Sequence, residues 1–306
     1  MRIAIMGTGA VGGYFGALLS RAGQDVSFIA RGAHLDAIRK HGLRLEGQRG
    51  NFTVNAPATD APAEIGAVDV VLLCVKQYDA ESAAALIAPL VGGGGVCISL
   101  MNGVDGQDRI APIIGAERVM GGLAFVSGVI DQPGLIRYST DMSSIVFGEA
   151  DGRASERAVR FRDACVAAGF SAEVSSDVRS AQWQKFVGLA TNTALTALTR
   201  QPAGYVYHDP DMLPIARASI HEVVSVARAM NITLANDIEE RTFATLKGFP
   251  PGMYASMAND VLRGRRLELE SLSGYVVRKG REFGVATPVH AMAYACLKPY
   301  LNGAPD

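Results

Sequence analysis

The sequence predicts an α/β domain with a parallel sheet, followed by an all-α domain. Three observations predict this fold class. Short β-rich runs alternate with helical segments up to about residue 180, a glycine-rich loop follows the first run, and long helical segments fill the rest of the chain. A single core stops growing near ~250–300 residues, and this chain has 306 residues. We therefore expect two domains, 1–179 and 180–306.

The elements of the first domain follow from apolar runs separated by turn signals. Strands are predicted at 2–6, 25–30, 69–75, 96–101 and 119–126, followed by more hairpin-like runs at 135–140, 143–147 and 172–175. Helices are predicted at 11–22, 35–41, 80–90, 107–114 and 155–168. Three of them are followed by a glycine suited to a helix C-terminus, at Gly23, Gly42 and Gly169.

The second domain has no strand signal. Helices are predicted at 178–199, 210–230, 236–247, 254–263, 267–283 and 289–301. Pro202, Pro210 and Pro288 separate some of these segments, because proline ends a helix or begins one in its first turn.

A glycine-rich loop directly follows the first predicted strand and opens the first helix. It has the sequence Gly7-Thr8-Gly9-Ala10-Val11-Gly12. In such a GxGxxG pattern the first glycine permits a tight turn, the second lets the backbone approach a pyrophosphate, and the third allows close helix packing. Because a helix N-terminus also offers N–H groups and a positive dipole to phosphate, the loop predicts a Rossmann-type dinucleotide site.

The end of the second predicted strand bears on the choice of cofactor. An Asp or Glu there would accept hydrogen bonds from the ribose hydroxyls of NAD. Here the strand ends in Phe28-Ile29-Ala30-Arg31, without an acid. A guanidinium suits a 2′-phosphate, so Arg31 favours NADPH. The alternative interpretation is a solvated arginine at a strand end.

Candidate catalytic and binding side chains lie at two strand ends and on predicted helices. Lys76 and Asn102 follow apolar runs at the edge where α/β sheets bind ligands. Asn102 is also compatible with a simple turn, since Asn-Gly is a common turn dipeptide. Lys185 lies near the start of an apolar helix, and reduction of a ketone by hydride transfer needs such a proton donor. Ser256 and Glu268 add a hydroxyl and an acid, although each is also typical of an exposed helix face.

In their order along the chain, these motifs resemble the ketopantoate reductase (2-dehydropantoate 2-reductase) family. The resemblance spans nearly the whole sequence. It rests on the glycine loop, Arg31, Val75-Lys76, Met101-Asn102-Gly103, Trp183-Gln184-Lys185, Leu195-Thr196-Ala197, Ser256-Met257 with Asp260, and Glu268-Leu269-Glu270 before Gly274. The resemblance implies NADPH as cofactor, a small 2-oxo acid as substrate, a Rossmann-type first domain, and a second domain like the C-terminal domain of 6-phosphogluconate dehydrogenase.

The resemblance also implies roles for single residues. By position, Lys185 matches the general acid of the family and Glu268 matches its acidic partner. An ammonium can polarise a carbonyl and give up its proton, while a nearby carboxylate keeps it charged and in place. Arg31 matches the position that binds the 2′-phosphate, and Lys76 and Asn102 match other cofactor-binding positions. The substrate-binding positions match Asn102, Lys185, Leu189, Thr193 and Ser256.

The chain departs from the family pattern on the helix of Lys185. The family carries two asparagines, one and two turns after the lysine, which hold polar groups of the substrate. Here these positions are Leu189 and Thr193. Asn192 is one residue away from the second position, and one residue rotates a helical side chain by ~100°. Because leucine cannot replace the hydrogen bonds of an amide, the departure favours a more apolar substrate, a branched or aromatic 2-oxo acid.

Composition excludes several other function classes. Lys and Arg total 29 against 30 for Asp and Glu, and the basic residues are scattered, so nucleic acid is not an expected partner. No apolar stretch reaches the ~18 residues of a membrane helix. The chain begins with a strand-like run and no signal peptide is recognised, so the predicted compartment is the cytoplasm.

Metal and disulfide chemistry are not expected either. The five histidines and four cysteines form no CxxC, HxxxH or HExxH pattern that could supply zinc ligands. Cys74, Cys97, Cys165 and Cys296 are therefore expected to be thiols. A homodimer and a monomer both stay open, because a helical domain can bury its apolar faces internally or against a second subunit.

The predicted function is NADPH-dependent reduction of 2-dehydropantoate to (R)-pantoate in pantothenate biosynthesis. One alternative is an NAD(P)H-dependent reductase or dehydrogenase that acts on another branched or aromatic 2-oxo or 2-hydroxy acid with the same scaffold. A second alternative, from a different class, is a noncatalytic NADP-binding regulator. The joint presence of Lys185, Asn102 and Glu268 argues against the regulator.

Overall fold

The structure is a computed structural model that describes residues 1–139 and 142–304. It divides into two compact units, Met1–Val178 and Arg179–Asp306, one residue before the predicted division at 179. The strands are β1 (Arg2–Met6), β2 (Asp25–Ile29), β3 (Leu43–Gly47), β4 (Phe52–Val54), β5 (Ala58–Thr59), β6 (Val70–Leu73), β7 (Val96–Ser99), β8 (Val119–Phe125), β9 (Gly128–Gln132), β10 (Leu135–Tyr138), β11 (Ser144–Gly148) and β12 (Ser171–Val174). The helices of the first unit are α1 (Ala10–Arg21), α2 (Gly32–His41), α3 (Ala80–Ile87), α4 (Gly106–Ile114) and α5 (Glu156–Ala167).

The first unit is built on an eight-stranded sheet with the order β12-β11-β8-β7-β6-β1-β2-β5. From β5 to β8 all neighbours are parallel, whereas β11 is antiparallel to β8. The central strand β1 pairs Ile3 with Val26 of β2 and with Val70 of β6. The predicted α/β fold with a parallel sheet is confirmed.

Both faces of this sheet are covered, which explains why its strands are apolar runs without alternation. Along β1, Ile3 and Ile5 pack into one core together with Phe15 of α1. Ala4 and Met6 point to the other face and pack into a second core that includes residues of α3 and α4. The period of two along a strand thus divides one apolar run between two cores.

A second, smaller sheet in the first unit has the order β4-β3-β10-β9. The sequence predicts only one of its strands, at 135–140, and the last residue of that prediction lies outside the described residues. β9 is largely exposed and β4 has only three residues, so neither carries the buried apolar pattern that predicts a strand.

The second unit is helical. Its elements are α6 (Val178–Thr199), which begins at the boundary, α7 (Ala203–Val206), α8 (Met212–Ala229), α9 (Ile238–Lys247), α10 (Ser256–Leu262), α11 (Ser273–Phe283) and α12 (Pro288–Leu297). The prediction of one helix over 267–283 is wrong. A 3-10 turn, Leu269–Ser271, precedes α11, and Leu272 adopts φ −112° and ψ −106°, which is not helical. Buried Leu267, Leu269 and Leu272 hold this irregular segment.

A buried polar network ties four helices of the second unit together, among them α11, whose Ser273 hydroxyl lies 3.3 Å from Nδ1 of His290. The imidazole of His290 on α12 lies 3.0 Å from the Ser219 hydroxyl of α8, which donates to Thr191 of α6 at 3.1 Å. Glu222 of α8 accepts the backbone N–H groups of Val289 and His290 at the start of α12, at 2.7 and 3.0 Å. Burial lowers the pKa of His290 to about 4, so the ring is neutral at pH 7.

Candidate active site

The glycine loop connects β1 to α1 at the carboxyl edge of the main sheet. Gly7 has φ +94°, and a Cβ there would lie 2.9 Å from the backbone of Cys74 at the end of β6. A Cβ on Gly12 would lie 2.3 Å from the Gly7 carbonyl oxygen. Both positions exclude a side chain, Gly7 for conformation and close approach, and Gly12 for close packing of α1 on the loop.

Gly9 differs from its two neighbours in the motif, because a Cβ there would meet no atom within 4 Å. Open space therefore lies in front of the Gly9 backbone, at the N-terminal end of α1. The helix has no side-chain cap and no acidic residue in its first turn, and the first N–H groups of a helix lack acceptors within it. These features fit the pyrophosphate of a dinucleotide, which would fill the space that a side chain at residue 9 would take.

Four candidate positions follow neighbouring parallel strands. Asn102 comes after β7, Lys76 after β6, the glycine loop after β1 and Arg31 after β2. Strands in a sheet lie about 4.8 Å apart, so this row spans about 14 Å, comparable with an extended dinucleotide. Arg31 is exposed, and its backbone is the extended N-cap of α2, which leaves the guanidinium accessible at one end of the row.

Gln77, which the sequence analysis does not single out, holds Asn102 in place. The buried Gln77 amide donates to the Asn102 carbonyl oxygen and accepts from Arg109 at 3.1 Å. Arg109 in turn forms two hydrogen bonds of 2.7 Å with Glu81 of α3. The Asn102-Gly103 turn, with Gly103 at φ +99°, is therefore anchored next to Lys76.

Lys185 lies on α6 in the second unit. The aromatic rings of Trp183 and Phe186, on the same helix, contact Tyr275 of α11 with centroid distances of 6.1 and 6.2 Å. This packing anchors the turn of α6 that carries the lysine. The side chain is half-buried, and desolvation lowers the pKa of Lys185 from 10.5 to about 8. An ammonium with this pKa is charged at pH 7 and still releases its proton readily.

The two positions that depart from the family pattern follow Lys185 along α6. Leu189 is half-buried, and Thr193 is completely buried. Within the described part of the chain, the Thr193 hydroxyl has no hydrogen-bond partner. Asn192 does not take over the role of an amide at 193, because its side-chain oxygen accepts a hydrogen bond from buried Tyr207 at 3.1 Å.

The remaining candidates differ in their surroundings. Glu268 is 5% exposed and lies in the non-helical segment before α11, so the expectation of an acid on a helix is wrong. Ser256 is the exposed first residue of α10. Thus Glu268 is a buried carboxylate on irregular backbone, and Ser256 is an accessible hydroxyl at a helix start.

Sequence reasoning missed a further residue next to the glycine loop, His34 on α2. Its Nε2 lies 2.8 Å from the Thr8 carbonyl oxygen. The only signal available beforehand is its position three residues after Arg31, because the contact spans 26 residues of sequence.

Three further observations concern metal binding, membrane spans and disulfides. Among residues 1–139 and 142–304, no group of three or more His, Cys, Asp or Glu side chains could hold a metal ion. No helix in the same residues is long and apolar enough to cross a membrane. The four cysteines are free.

A glycine loop at the edge of a parallel sheet, with a lysine of lowered pKa in a separate helical unit, defines a two-domain dehydrogenase-type oxidoreductase. Two family models match the sequence: Ketopantoate reductase PanE/ApbA over residues 3–152, and Ketopantoate reductase PanE/ApbA C terminal over residues 177–301. The chain belongs to the ketopantoate reductase family.

Individual relatives align with this chain over nearly their whole length. The chain is 34% identical to a 2-dehydropantoate 2-reductase of Archaeoglobus fulgidus over 289 residues, 94% of each protein. A crystal structure of a PanE/ApbA family ketopantoate reductase from Ralstonia eutropha JMP134 matches with a TM-score of 0.91, 31% identity and 98% coverage of both chains. A D-mandelate dehydrogenase with NADH and anilino(oxo)acetate has the same fold, with a TM-score of 0.89, 22% identity and 98% coverage of both chains.

Proposed function

We propose that this protein reduces 2-dehydropantoate to (R)-pantoate with NADPH, in pantothenate biosynthesis. The observation that carries the proposal is Lys185, a lysine on α6 whose pKa burial lowers to about 8, at the position of the general acid in this family. A proton donor is most effective when its pKa lies near the working pH. The relatives named 2-dehydropantoate 2-reductase support this choice of substrate.

The first unit would hold the cofactor. The backbone N–H groups around Gly9 would bind the pyrophosphate, where the structure leaves open space, and Arg31 would pair with the 2′-phosphate. Lys76 and Asn102 would contact the nicotinamide half, at the other end of the row of strand ends. When bound, NADPH supplies the hydride that reduces the substrate carbonyl.

The second unit would supply the proton. The Lys185 ammonium polarises the 2-oxo group, stabilises the developing alkoxide and transfers one proton to its oxygen. Lys185 is left neutral and regains a proton from solvent. The Glu268 carboxylate would keep the ammonium charged and oriented, and the Ser256 and Asn102 side chains would bind polar groups of the substrate.

A second candidate function is reduction of another branched or aromatic 2-oxo acid. Leu189 favours it, because an apolar side chain one turn after Lys185 replaces an amide that would bind a substrate hydroxyl or carboxylate. The D-mandelate dehydrogenase of the same fold is named for a substrate of the aromatic kind. The Thr193 hydroxyl is completely buried and has no partner among the described residues, so it offers no accessible hydrogen-bonding group in place of the second asparagine.

The test is steady-state turnover of 2-dehydropantoate with NADPH by the wild type and by Lys185→Ala. Loss of a positioned acid lowers kcat by about 10²- to 10⁴-fold, while NADPH binding measured by calorimetry stays unchanged. Lys279→Ala is the matched control, since Lys279 is paired with Glu282 at 2.8 Å on α11 and should retain wild-type kcat. Undiminished turnover by Lys185→Ala refutes the assignment, and turnover that depends on Lys185 rules out a noncatalytic regulator.

A further inference from the structure

His34 joins three segments of the first unit. It lies in the first turn of α2, which Leu35 and Ile38 anchor in the core. Its Nε2 lies 2.8 Å from the Thr8 carbonyl oxygen in the glycine loop. Its Nδ1 accepts the backbone N–H of Gly134, in the turn between β9 and β10, at 3.0 Å.

These contacts determine the protonation of the ring. Since the Gly134 N–H donates to Nδ1, that nitrogen carries no proton, and the proton of the neutral ring is on Nε2. Nε2 is therefore the donor to Thr8. Burial lowers the pKa of His34, which keeps the ring neutral at pH 7. A Cβ on Gly134 would lie 2.9 Å from Ala37 of α2. The turn at Gly134 therefore packs closely against α2, which keeps the Gly134 N–H next to Nδ1.

The contact with Thr8 orients the peptide that leads into Gly9. In a trans peptide the C=O and the following N–H point in opposite directions. Holding the Thr8 C=O toward His34 therefore aims the Gly9 N–H to the other side. The Thr8 hydroxyl and backbone N–H both donate to the Ile29 carbonyl oxygen, at 2.9 and 3.1 Å, so Thr8 is also held on the N-terminal side of this peptide.

We infer that His34 is a positioning residue for dinucleotide binding: its Nε2–H fixes the Thr8–Gly9 peptide so that the Gly9 N–H is presented to the pyrophosphate. The inference rests on the proposed function, because it assumes that the glycine loop binds a dinucleotide. It differs from the role proposed for Arg31, since the pyrophosphate is common to NADPH and NADH and the 2′-phosphate is not.

Two substitutions separate the two hydrogen bonds of the ring. His34→Gln places an amide N–H near the position of Nε2, so the donor to Thr8 is kept. His34→Asn places an amide oxygen near the position of Nδ1, so the acceptor for Gly134 is kept and the donor to Thr8 is lost. His41→Asn is the control, because His41 is exposed at the end of the same helix.

The experiment measures Kd for NADPH and for NADH by calorimetry, with kcat at saturating cofactor and thermal unfolding for each variant. We expect His34→Asn to raise both Kd values by the same factor, about tenfold or more, because the Gly9 N–H is no longer held in place for its hydrogen bond to the charged pyrophosphate. Its kcat should be unchanged, and His34→Gln and His41→Asn should bind like the wild type.

Several results would overturn the inference. These are Kd values of His34→Asn equal to those of the wild type, an increase in Kd for NADPH alone, and an equal increase in both Kd values for His34→Gln. If the wild type binds NADPH and only the variants behave otherwise than expected, the role of His34 is wrong while the proposed function stands. A wild type that binds neither cofactor overturns the proposed function, and the inference with it.

Discussion

The lowered pKa of Lys185 makes the pH dependence of turnover a quantitative prediction. In the proposed mechanism the reduction needs Lys185 protonated, and its pKa of about 8 would leave about 90% of the enzyme competent at pH 7 and about 3% at pH 9.5. We therefore expect kcat/KM for the oxo acid, at saturating NADPH, to fall about 30-fold over this interval. A lysine with an ordinary pKa near 10.5 would stay about 90% protonated at pH 9.5, so the rate would hardly change.

The assay follows NADPH oxidation by its absorbance in buffers of constant ionic strength. Lys185→Arg is the matched variant, because an arginine keeps the positive charge but does not titrate below pH 10. Its residual kcat/KM should be low and independent of pH over the same range. A wild-type profile that stays flat to pH 9.5, or a variant with the same decline as the wild type, would refute Lys185 as the titrating acid.

Three further predictions concern the cofactor, the substrate and stability. Arg31→Ala should weaken the binding of NADPH about tenfold or more and leave the binding of NADH unchanged, with Arg39→Ala, at an exposed residue, as the control. An equal loss of affinity for both cofactors would contradict a role of Arg31 at the 2′-phosphate. The double variant Leu189→Asn, Thr193→Asn should raise kcat/KM for 2-dehydropantoate about tenfold relative to that for a phenyl-substituted 2-oxo acid, and an unchanged ratio would contradict their role in specificity. Between pH 6.5 and 5 the wild type should lose about 1.6 kcal/mol of unfolding free energy more than His290→Gln, because the unfolded chain binds a proton that the buried ring, with a pKa of about 4, does not; an equal loss of unfolding free energy in the two proteins, measured by urea unfolding at the two pH values, would contradict this.

The sequence predicts the main sheet well because its strands carry a strong local signal. The segment 2–6 is an apolar run ending directly in a glycine loop, and the structure has a strand at Arg2–Met6 and a helix from Ala10. The burial of both sheet faces makes each central strand apolar throughout, which is visible without knowledge of its neighbours. Arg31 and Asn102 could be placed at strand ends for the same reason.

Contacts between residues far apart in the chain leave no local pattern in the sequence. His34 and Gly134 are 100 residues apart, and Gln77 meets the Asn102 backbone across 25 residues. Glu268 lies in a pattern that is helical by composition, but burial of neighbouring leucines breaks the helix there. Tertiary packing decided these features, so local propensity could not predict them.

We propose that the protein is a 2-dehydropantoate reductase that prefers NADPH. The most direct measurement is kcat/KM for 2-dehydropantoate beside a panel of branched and aromatic 2-oxo acids, each with NADPH and with NADH. We predict the highest value for 2-dehydropantoate with NADPH, which would also mean that Leu189 and Thr193 are compatible with this substrate. A higher value for another 2-oxo acid would contradict the claim and locate the change of specificity at those two residues of α6.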